Sequence, residues 1–313
     1  MNTKSNYEIS YGKLHIPLYR VYAAPLSEIT RIPESSFTGR DNTLFALEVD
    51  VEVFGNNFLP AYTLGDNRNV VATDSMKNFV LQQALTFNGS TLEGFLNLLG
   101  QQFLTTYANM ERLRLTAREL PFNAAYVPQA DNSTFGASTL LFKRSHNDFA
   151  TATLDFTRNG ASAIITAHRC GQVGLQLFKV TGSSFTNFVR DAYTTLPERI
   201  DRPLFIYLDL YWTYTDVAEM ASSDTRHYIA PEQVRDVVQA VFHEFVSESI
   251  QHLVHGIGLR LLARFPHMAT ISFEAQNRTK DPVAVSDVDP KIKVYSDPFP
   301  AYGIIKLTMG RNS

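Results

Sequence analysis

The chain of 313 residues contains a single cysteine, Cys170, so it cannot form an intrachain disulfide. This shortage is typical of proteins from a reducing compartment. The first residues show no apolar core of a signal peptide. No stretch approaches the roughly 18 unbroken apolar residues that would cross a membrane. Together these absences predict a cytoplasmic protein.

An excess of charge of one sign is also lacking. Charged residues make up 19% of the chain, and the net charge is only -3. Acidic and basic residues are interspersed, and no basic run indicates a nucleic-acid groove or a membrane-binding surface. The sequence therefore predicts a small-molecule ligand or a second copy of the chain as the partner.

Motifs for common cofactors are missing as well. The chain has no phosphate-binding G-x-x-x-x-G-K-[ST] loop and no G-x-G-x-x-G after a strand, and nothing typical of flavin or haem binding. His243 and Glu244 begin a zinc-protease pattern, but Ser247 stands where its second histidine belongs. His252 and His255 have a spacing that can serve a metal, yet no further cysteine or histidine clusters with them, which favours packing or capping roles. If the protein is an enzyme, we expect its chemistry to use the electrons of its own substrate.

The hydrophobic pattern alternates between two periods. Apolar and acidic residues alternate from Leu47 to Val53, which predicts a half-buried strand. Helical spacing follows over residues 75–87 and 92–103, the second stretch beginning at a predicted capping box of Ser90 and Glu93. Further strand-like runs follow, including separate runs at 163–167 and 175–180.

The second half repeats this order. A strand-like run at 204–214 precedes a helix starting at Pro231 and another capped by Ser249. Strands, two helices and strands in each half predict an α+β fold, with an antiparallel sheet whose helices cover one face. We expect two tandem units, 1–158 and 159–313, joined near the Asn-Gly-Ala-Ser turn.

Short segments in a fixed order along the chain resemble the motifs of urate oxidases, and members from bacilli are the most similar. The segments are Y-G-K at 11–13, V-V-A-T-D-S-M-K-N at 70–78, S-S-F at 183–185, D-A-Y-T-T-L at 191–196, D-R at 201–202, S-I-Q-H at 249–252 and Q-N-R-T at 276–279. The resemblance implies two tandem T-fold units that assemble into a barrel-like homotetramer with active sites at subunit interfaces. It also implies cofactor-free oxidation of urate by O2 and water to 5-hydroxyisourate and hydrogen peroxide.

The resemblance further assigns substrate-binding residues. Urate is a planar anion with polar atoms around its edge, so its site needs a flat apolar platform and in-plane polar groups. By resemblance Phe185 is the stacking platform, Arg202 the forked cation and Gln251 an in-plane amide. The main-chain N–H groups of Asp74 and Ile250, near predicted helix starts, are expected to face the anion.

The remaining assignments concern proton transfer and oxygen. Lys13 and Thr73 are the implied proton-transfer pair, with Thr73 also touching the substrate. Asn277, together with Thr73, would hold oxygen and later water above the purine. Fungal members carry a relay histidine where this chain has Thr279, whose hydroxyl passes on a proton but stores no charge near neutral pH. The relay is expected to run through Thr279 and water, or to be shorter.

Ordinary structural interpretations remain open for these residues. Phe185 is one of 22 phenylalanines and could be a core residue, and Arg202 could be a surface residue before Pro203. Thr73 and Asp74 could simply cap a helix. Two functional alternatives also stay open: a zinc-dependent pterin enzyme of the same fold, and a purine- or pterin-binding protein without oxidase activity.

Overall fold

The computed structural model describes residues 7–130, 133–160, 162–278, 280–297 and 301–311. The strands are β1 (Ser10–Val21), β2 (Leu44–Phe54), β3 (Arg112–Glu119), β4 (Phe122–Pro128), β5 (Phe135–Arg144), β6 (Phe149–Asn159), β7 (Ser162–Lys179), β8 (Leu204–Tyr214), β9 (Met268–Asn277), β10 (Asp281–Val285), β11 (Lys293–Ser296) and β12 (Gly303–Gly310). The helices are α1 (Leu59–Thr63), α2 (Thr73–Thr86), α3 (Leu92–Thr106), α4 (Val217–Met220), α5 (Pro231–Glu244) and α6 (Ile250–Arg264). Among these residues, no helix is both long and apolar enough to cross a membrane.

The chain divides into two compact units. The first comprises Met1–Thr30, Thr38–Cys170 and Asp216–Tyr228, and the second Arg31–Phe37, Gly171–Thr215 and Ile229–Ser313. The division by contacts therefore falls inside β7, which contributes residues to both units. The sequence pattern predicted a boundary between the two units at residues 158 and 159, and that boundary stays a proposal.

In the first unit the strands are neighbours in the order β1, β2, β3, β6, followed by β7. The β1–β2, β2–β3 and β3–β6 pairs are antiparallel. Val49, Val51 and Val53 of β2 are fully buried, whereas the acidic residues between them are only half-buried. The alternation predicted from the sequence is thus confirmed, and the apolar face is the one that α2 and α3 cover.

In the second unit the order is β7, β8, β9, β12. One face of β8, from Leu204 to Trp212, is buried, and α6 packs on β9 and β12 beside α5. The predicted helix starts are confirmed: α5 begins at Pro231, and the Ser249 hydroxyl accepts the His252 N–H at 3.0 Å as the cap of α6. The mixture of helices and antiparallel sheet agrees with the predicted α+β class.

The predicted capping box of α3 is wrong. The helix starts one residue later than expected, with Thr91 as its N-cap, and the Thr91 hydroxyl accepts the Gly94 N–H at 3.1 Å. The side chain of Glu93 is buried and accepts a hydrogen bond from the Tyr228 hydroxyl at 2.9 Å. Burial raises the pKa of the Glu93 carboxyl.

Both units end their long helices in the same way. A helix leaves its last carbonyl groups without partners, and a cation placed there is favourable. At each of four helices a basic side chain donates a hydrogen bond to such a carbonyl: Arg20 at α2, Arg158 at α3, Lys179 at α5 and Arg311 at α6. Arg20 lies in β1 and Lys179 in β7, whereas Arg158 lies in β6 and Arg311 directly after β12. This repeated arrangement supports a tandem duplication.

Candidate active site

The position of Lys13 depends on a β-bulge. Lys13 pairs directly with Val51 of β2, and the pairing resumes at Ile16 opposite Val49 with one extra residue in β1. His15 lies in the bulge with φ 57°, and its N–H donates to the Asp50 carboxylate at 2.6 Å. Because directly opposed residues point to the same face, the extra residue allows Lys13 and Ile16 both to point to the helix-covered face.

The residues before Lys13 connect it to the segment that starts α2. A Cβ atom on Gly12 would lie 1.9 Å from the carbonyl oxygen of Val51, so only glycine fits this approach of β1 to β2. The Tyr11 hydroxyl accepts the N–H of Val71 at 3.0 Å. The Y-G-K and V-V-A-T-D motifs are therefore in contact, although 60 positions separate the two bonded residues.

Thr73 and Asp74 form the first turn of α2. The first hydrogen bond at this end runs from the Met76 N–H to the Ala72 carbonyl at 3.2 Å, so the N–H groups of Thr73 and Asp74 precede the helical ladder. The Asp74 carboxylate is exposed and accepts a hydrogen bond from the Lys77 ammonium at 2.6 Å. This bond lowers the pKa of the Asp74 carboxyl, and the charge of Lys13 adds to the effect. Lys13 thus lies close to a helix N-terminus that attracts anions.

A loop of the second unit carries Phe185. Its main chain exchanges two hydrogen bonds with Arg199, at 2.8 and 3.0 Å. The neighbouring Ser184 donates its N–H to the carbonyl of Ser247 at 2.8 Å, and the hydroxyls of Ser183 and Ser247 lie 3.1 Å apart. Ser247 shortly precedes α6, so the Phe185 loop is fixed against the segment that enters this helix.

Arg202 lies in contact with Phe185. Its guanidinium carbon is 5.4 Å from the ring centroid, and the residue is only 9% exposed. Among the described residues its Nε has no hydrogen-bond partner. Burial lowers the pKa of this guanidinium and the charge of Arg199 adds to the effect, whereas Asp281 opposes it. A buried cation with an unused donor is costly, unless an anionic ligand completes its contacts.

Ile250 and Gln251 occupy the first turn of α6. Because the first helical bond runs from the Leu253 N–H to the Ser249 carbonyl, the N–H groups of Ile250 and Gln251 precede the ladder. The side chain of Ile250 is buried, and Gln251 is exposed. The role of the Ile250 N–H as a main-chain donor to the ligand stays a prediction.

Asn277 is the last residue of β9 and pairs with both Ile206 and Gly303. Its side-chain oxygen Oδ1 is buried and has no hydrogen-bond partner in the described part of the chain. Such an unused acceptor is uncommon in a folded protein, and a ligand or water can supply its partner. Thr279 lies outside the described residues.

The candidate residues divide between the two compact units. The first unit contains Lys13, Thr73 and Asp74. The second unit contains the others, namely Phe185, Arg202, Ile250, Gln251 and Asn277. Within each unit, the contacts described above bring together motifs that lie far apart in the sequence.

Sequence reasoning missed the residues that support this site. No sequence pattern gave Asp50, Ser247 or Asp281 a role at the site, because their contacts are with residues far along the chain. The described residues contain one group with metal-ligand geometry, formed by His15, Glu48 and Asp50. The Arg118 guanidinium already donates to Glu48 and contacts His15, so a cation occupies that place. His252 packs against the Phe245 ring at 4.4 Å, which agrees with the packing interpretation of this histidine.

Known proteins resemble the chain over nearly its whole length. A family model described as Uricase matches residues 168–306. A protein named uricase from Haloferax volcanii is 46% identical over 303 residues, which cover 97% of this chain and 98% of that protein. The uric acid degradation bifunctional protein PucL of Bacillus subtilis is 44% identical over 99% of this chain, which spans 62% of PucL. The crystal structure of urate oxidase from Bacillus sp. TB-90 superposes with a TM-score of 0.94 at 42% identity, covering 97% of this chain and 100% of that one.

Proposed function

The chain belongs to the uricase family and oxidises urate, and we propose that the residues gathered in its two units bind and activate this substrate. The observation that carries the proposal is the buried Arg202 guanidinium, which lies against the Phe185 ring and whose Nε has no hydrogen-bond partner among the described residues. A planar anion stacked on Phe185 would supply the missing acceptor. The fold is α+β, as in the urate oxidase structures it resembles, and consists of two T-fold units.

The proposed binding mode uses every edge of the purine. Phe185 stacks on one face, and Arg202 donates two parallel hydrogen bonds to a carbonyl oxygen and a ring nitrogen. The main-chain N–H groups of Asp74 and Ile250, each at a helix N-terminus, donate to the anion. Gln251 offers its amide in the plane of the ring.

The proposed chemistry needs no cofactor. Lys13 and Thr73 take a proton from bound urate, and the electron-rich dianion reduces O2 directly, giving a peroxide at C5. Loss of hydrogen peroxide and addition of water give 5-hydroxyisourate, so that urate, O2 and H2O become 5-hydroxyisourate and H2O2. Asn277, whose Oδ1 has no hydrogen-bond partner in the described part of the chain, holds oxygen and then water with Thr73, and Thr279 continues the relay. The protein contributes orientation, charge stabilisation and proton transfer.

An assay that follows all the reactants tests this proposal. Chelator-treated protein is incubated in air with urate, while urate absorbance, oxygen uptake and peroxide are recorded together. Loss of urate and oxygen in equal amounts, with peroxide formed, is the expected result. Turnover that returns only after zinc is added would support the pterin-type enzyme. Urate binding without oxygen uptake would support a purine- or pterin-binding protein, an alternative that the relatives do not favour.

We further propose a cytoplasmic homotetramer whose active sites lie between subunits. Lys13, Thr73 and Asp74 would come from one subunit and the second-unit residues from its neighbour. The division of these two groups between separate compact units supports this arrangement.

Mixed oligomers test the shared site. Lys13→Ala and Arg202→Ala subunits, each inactive alone, are expected to recover activity when unfolded and reassembled together, because about a quarter of the sites in a random mixture contain both intact residues. The matched control mixes Lys13→Ala with Thr73→Ala. Since both residues come from the same subunit in the proposal, that mixture should stay inactive. Equal recovery in the two mixtures, or none in verified mixed oligomers, would contradict sharing.

A further inference from the structure

The ion pair between Arg199 and Asp281 joins two segments of the proposed purine site. The Arg199 guanidinium donates to the Asp281 carboxylate at 2.8 Å, across 82 positions of sequence. The two side chains are 34% and 50% exposed, so the bond is partly shielded from solvent. Neither residue belongs to a motif that the sequence resemblance assigns to the substrate.

Arg199 is attached to the stacking platform. Its N–H and carbonyl both hydrogen-bond to the main chain of Phe185, at 3.0 and 2.8 Å. Arg202, in the same loop, donates its main-chain N–H to the carbonyl of Ser183 at 2.8 Å. A shift of Arg199 would therefore displace Phe185 and, with it, the loop that carries Arg202.

Asp281 is attached to the other segment. It is the first residue of β10, shortly after Asn277, and pairs with Ser296 of β11. The ion pair therefore connects the Phe185 loop with the chain that follows Asn277. Between these two points, the N–H of Arg278 donates to the carbonyl of Phe205 at 3.0 Å.

We propose that Asp281 is a positioning residue for urate binding, which holds Phe185 and Arg202 in their working geometry through its ion pair with Arg199. This inference rests on the proposed roles of Phe185 and Arg202. Asp281 itself touches neither the substrate nor oxygen. Its contribution is preorganisation, because a platform that is already in place costs less entropy to order when urate binds.

The negative charge of Asp281 and its positioning role affect urate binding in opposite directions, so a binding measurement can distinguish them. Removing this carboxylate leaves Arg199 as an uncompensated cation near Arg202, and the field at the site becomes more attractive to an anion. A purely electrostatic role therefore predicts tighter urate binding in Asp281→Asn. A positioning role predicts weaker binding.

The experiment compares steady-state urate oxidation and anaerobic urate binding in Asp281→Asn, Asp281→Glu and wild type. We expect Asp281→Asn to raise KM and the anaerobic Kd about tenfold, as for coupled neighbours, with kcat nearly retained. Asp281→Glu keeps a carboxylate and should restore most of the affinity. Glu274→Gln removes an exposed ion pair with Lys306 in the same unit, bonded at 2.8 Å, and serves as the matched control with unchanged KM.

Several results would overturn the proposal. An unchanged or lower KM in Asp281→Asn would do so, and so would an equal rise of KM in Glu274→Gln. The third such result is an Asp281→Asn protein that is misfolded or melts at a lower temperature, with kcat and KM changed together. Arg202→Ala in the same assay separates this inference from the proposed function. If Arg202→Ala leaves KM unchanged, the substrate assignment itself fails. If Arg202→Ala raises KM and Asp281→Asn does not, only the positioning role fails.

Discussion

Replacing Lys13 with alanine is expected to lower kcat for urate oxidation by about 10²- to 10⁴-fold, the usual contribution of a positioned acid or base. The anaerobic Kd of urate should change little, because the proposed binding contacts belong to other residues. The bulge after Lys13 and the narrow approach at Gly12 hold its backbone, so the truncation should leave β1 in place. Stopped-flow reduction of oxygen by bound urate measures the chemical step directly.

Two further variants accompany this prediction, the first as its control and the second as a test of the relay. Lys306→Ala removes a lysine of β12 whose side chain is 63% exposed and ion-paired with Glu274, and should leave kcat unchanged. Thr279→Ala, compared with wild type across pH, tests the rest of the relay; an unchanged rate and profile would remove Thr279 from it. If Lys13→Ala weakened binding and left turnover of bound urate intact, Lys13 would be a binding residue instead.

Local signals predicted the elements that carry the site. The alternation in β2 identified the face that is buried, and Pro231 and Ser249 marked the starts of α5 and α6. These features depend on neighbours in sequence, because strand alternation and helix capping are set within a few residues. For α2 the helical spacing predicted residues 75–87, but the helix begins two residues earlier, at Thr73, and its N-cap, Ala72, makes no side-chain capping bond. The role of the Asp74 main chain as a donor to the ligand stays a prediction.

Features that depend on distant partners could not be read from the sequence. Ser90 and Thr91 can both cap a helix, and the burial of Glu93 beside Tyr228, 135 positions away, accompanies the use of Thr91 as the N-cap of α3. The bulge at His15 requires the carboxylate of Asp50 on the next strand. Each of these choices follows from tertiary contacts that no local pattern encodes.

The strand β7 shows the same limit. Two separate strand-like runs were expected here, but the structure has one continuous strand from Ser162 to Lys179. Gly174 has φ 77°, and its N–H donates to the Asp209 carboxylate of β8 at 2.7 Å. A glycine tolerates this conformation without a break, and the neighbouring strand supplies the hydrogen bond.

Replacing Arg202 with alanine is expected to raise KM and the anaerobic Kd of urate by about 10- to 150-fold, since a hydrogen bond to a charged group contributes about 1.5–3 kcal/mol. Arg202→Lys keeps the charge and loses the planar fork, so its KM should lie between those of alanine and wild type. Arg190→Ala is the matched control. Arg190 is exposed, and its guanidinium carbon lies 5.5 Å from the Phe188 ring in the same loop, so its loss should leave KM unchanged.

The stability of the free protein gives Arg202 a second, independent readout. Its guanidinium is buried, its Nε has no partner among the described residues, and burial lowers its pKa, so the charge is held at a cost. Removing it should leave the melting temperature unchanged or raise it, while urate binding falls. A site that sacrifices stability for ligand binding behaves in this way. A large fall in melting temperature with an unchanged KM would instead show that Arg202 is a structural residue of the loop. The proposed role of Arg202 as the cation that binds urate would then be wrong.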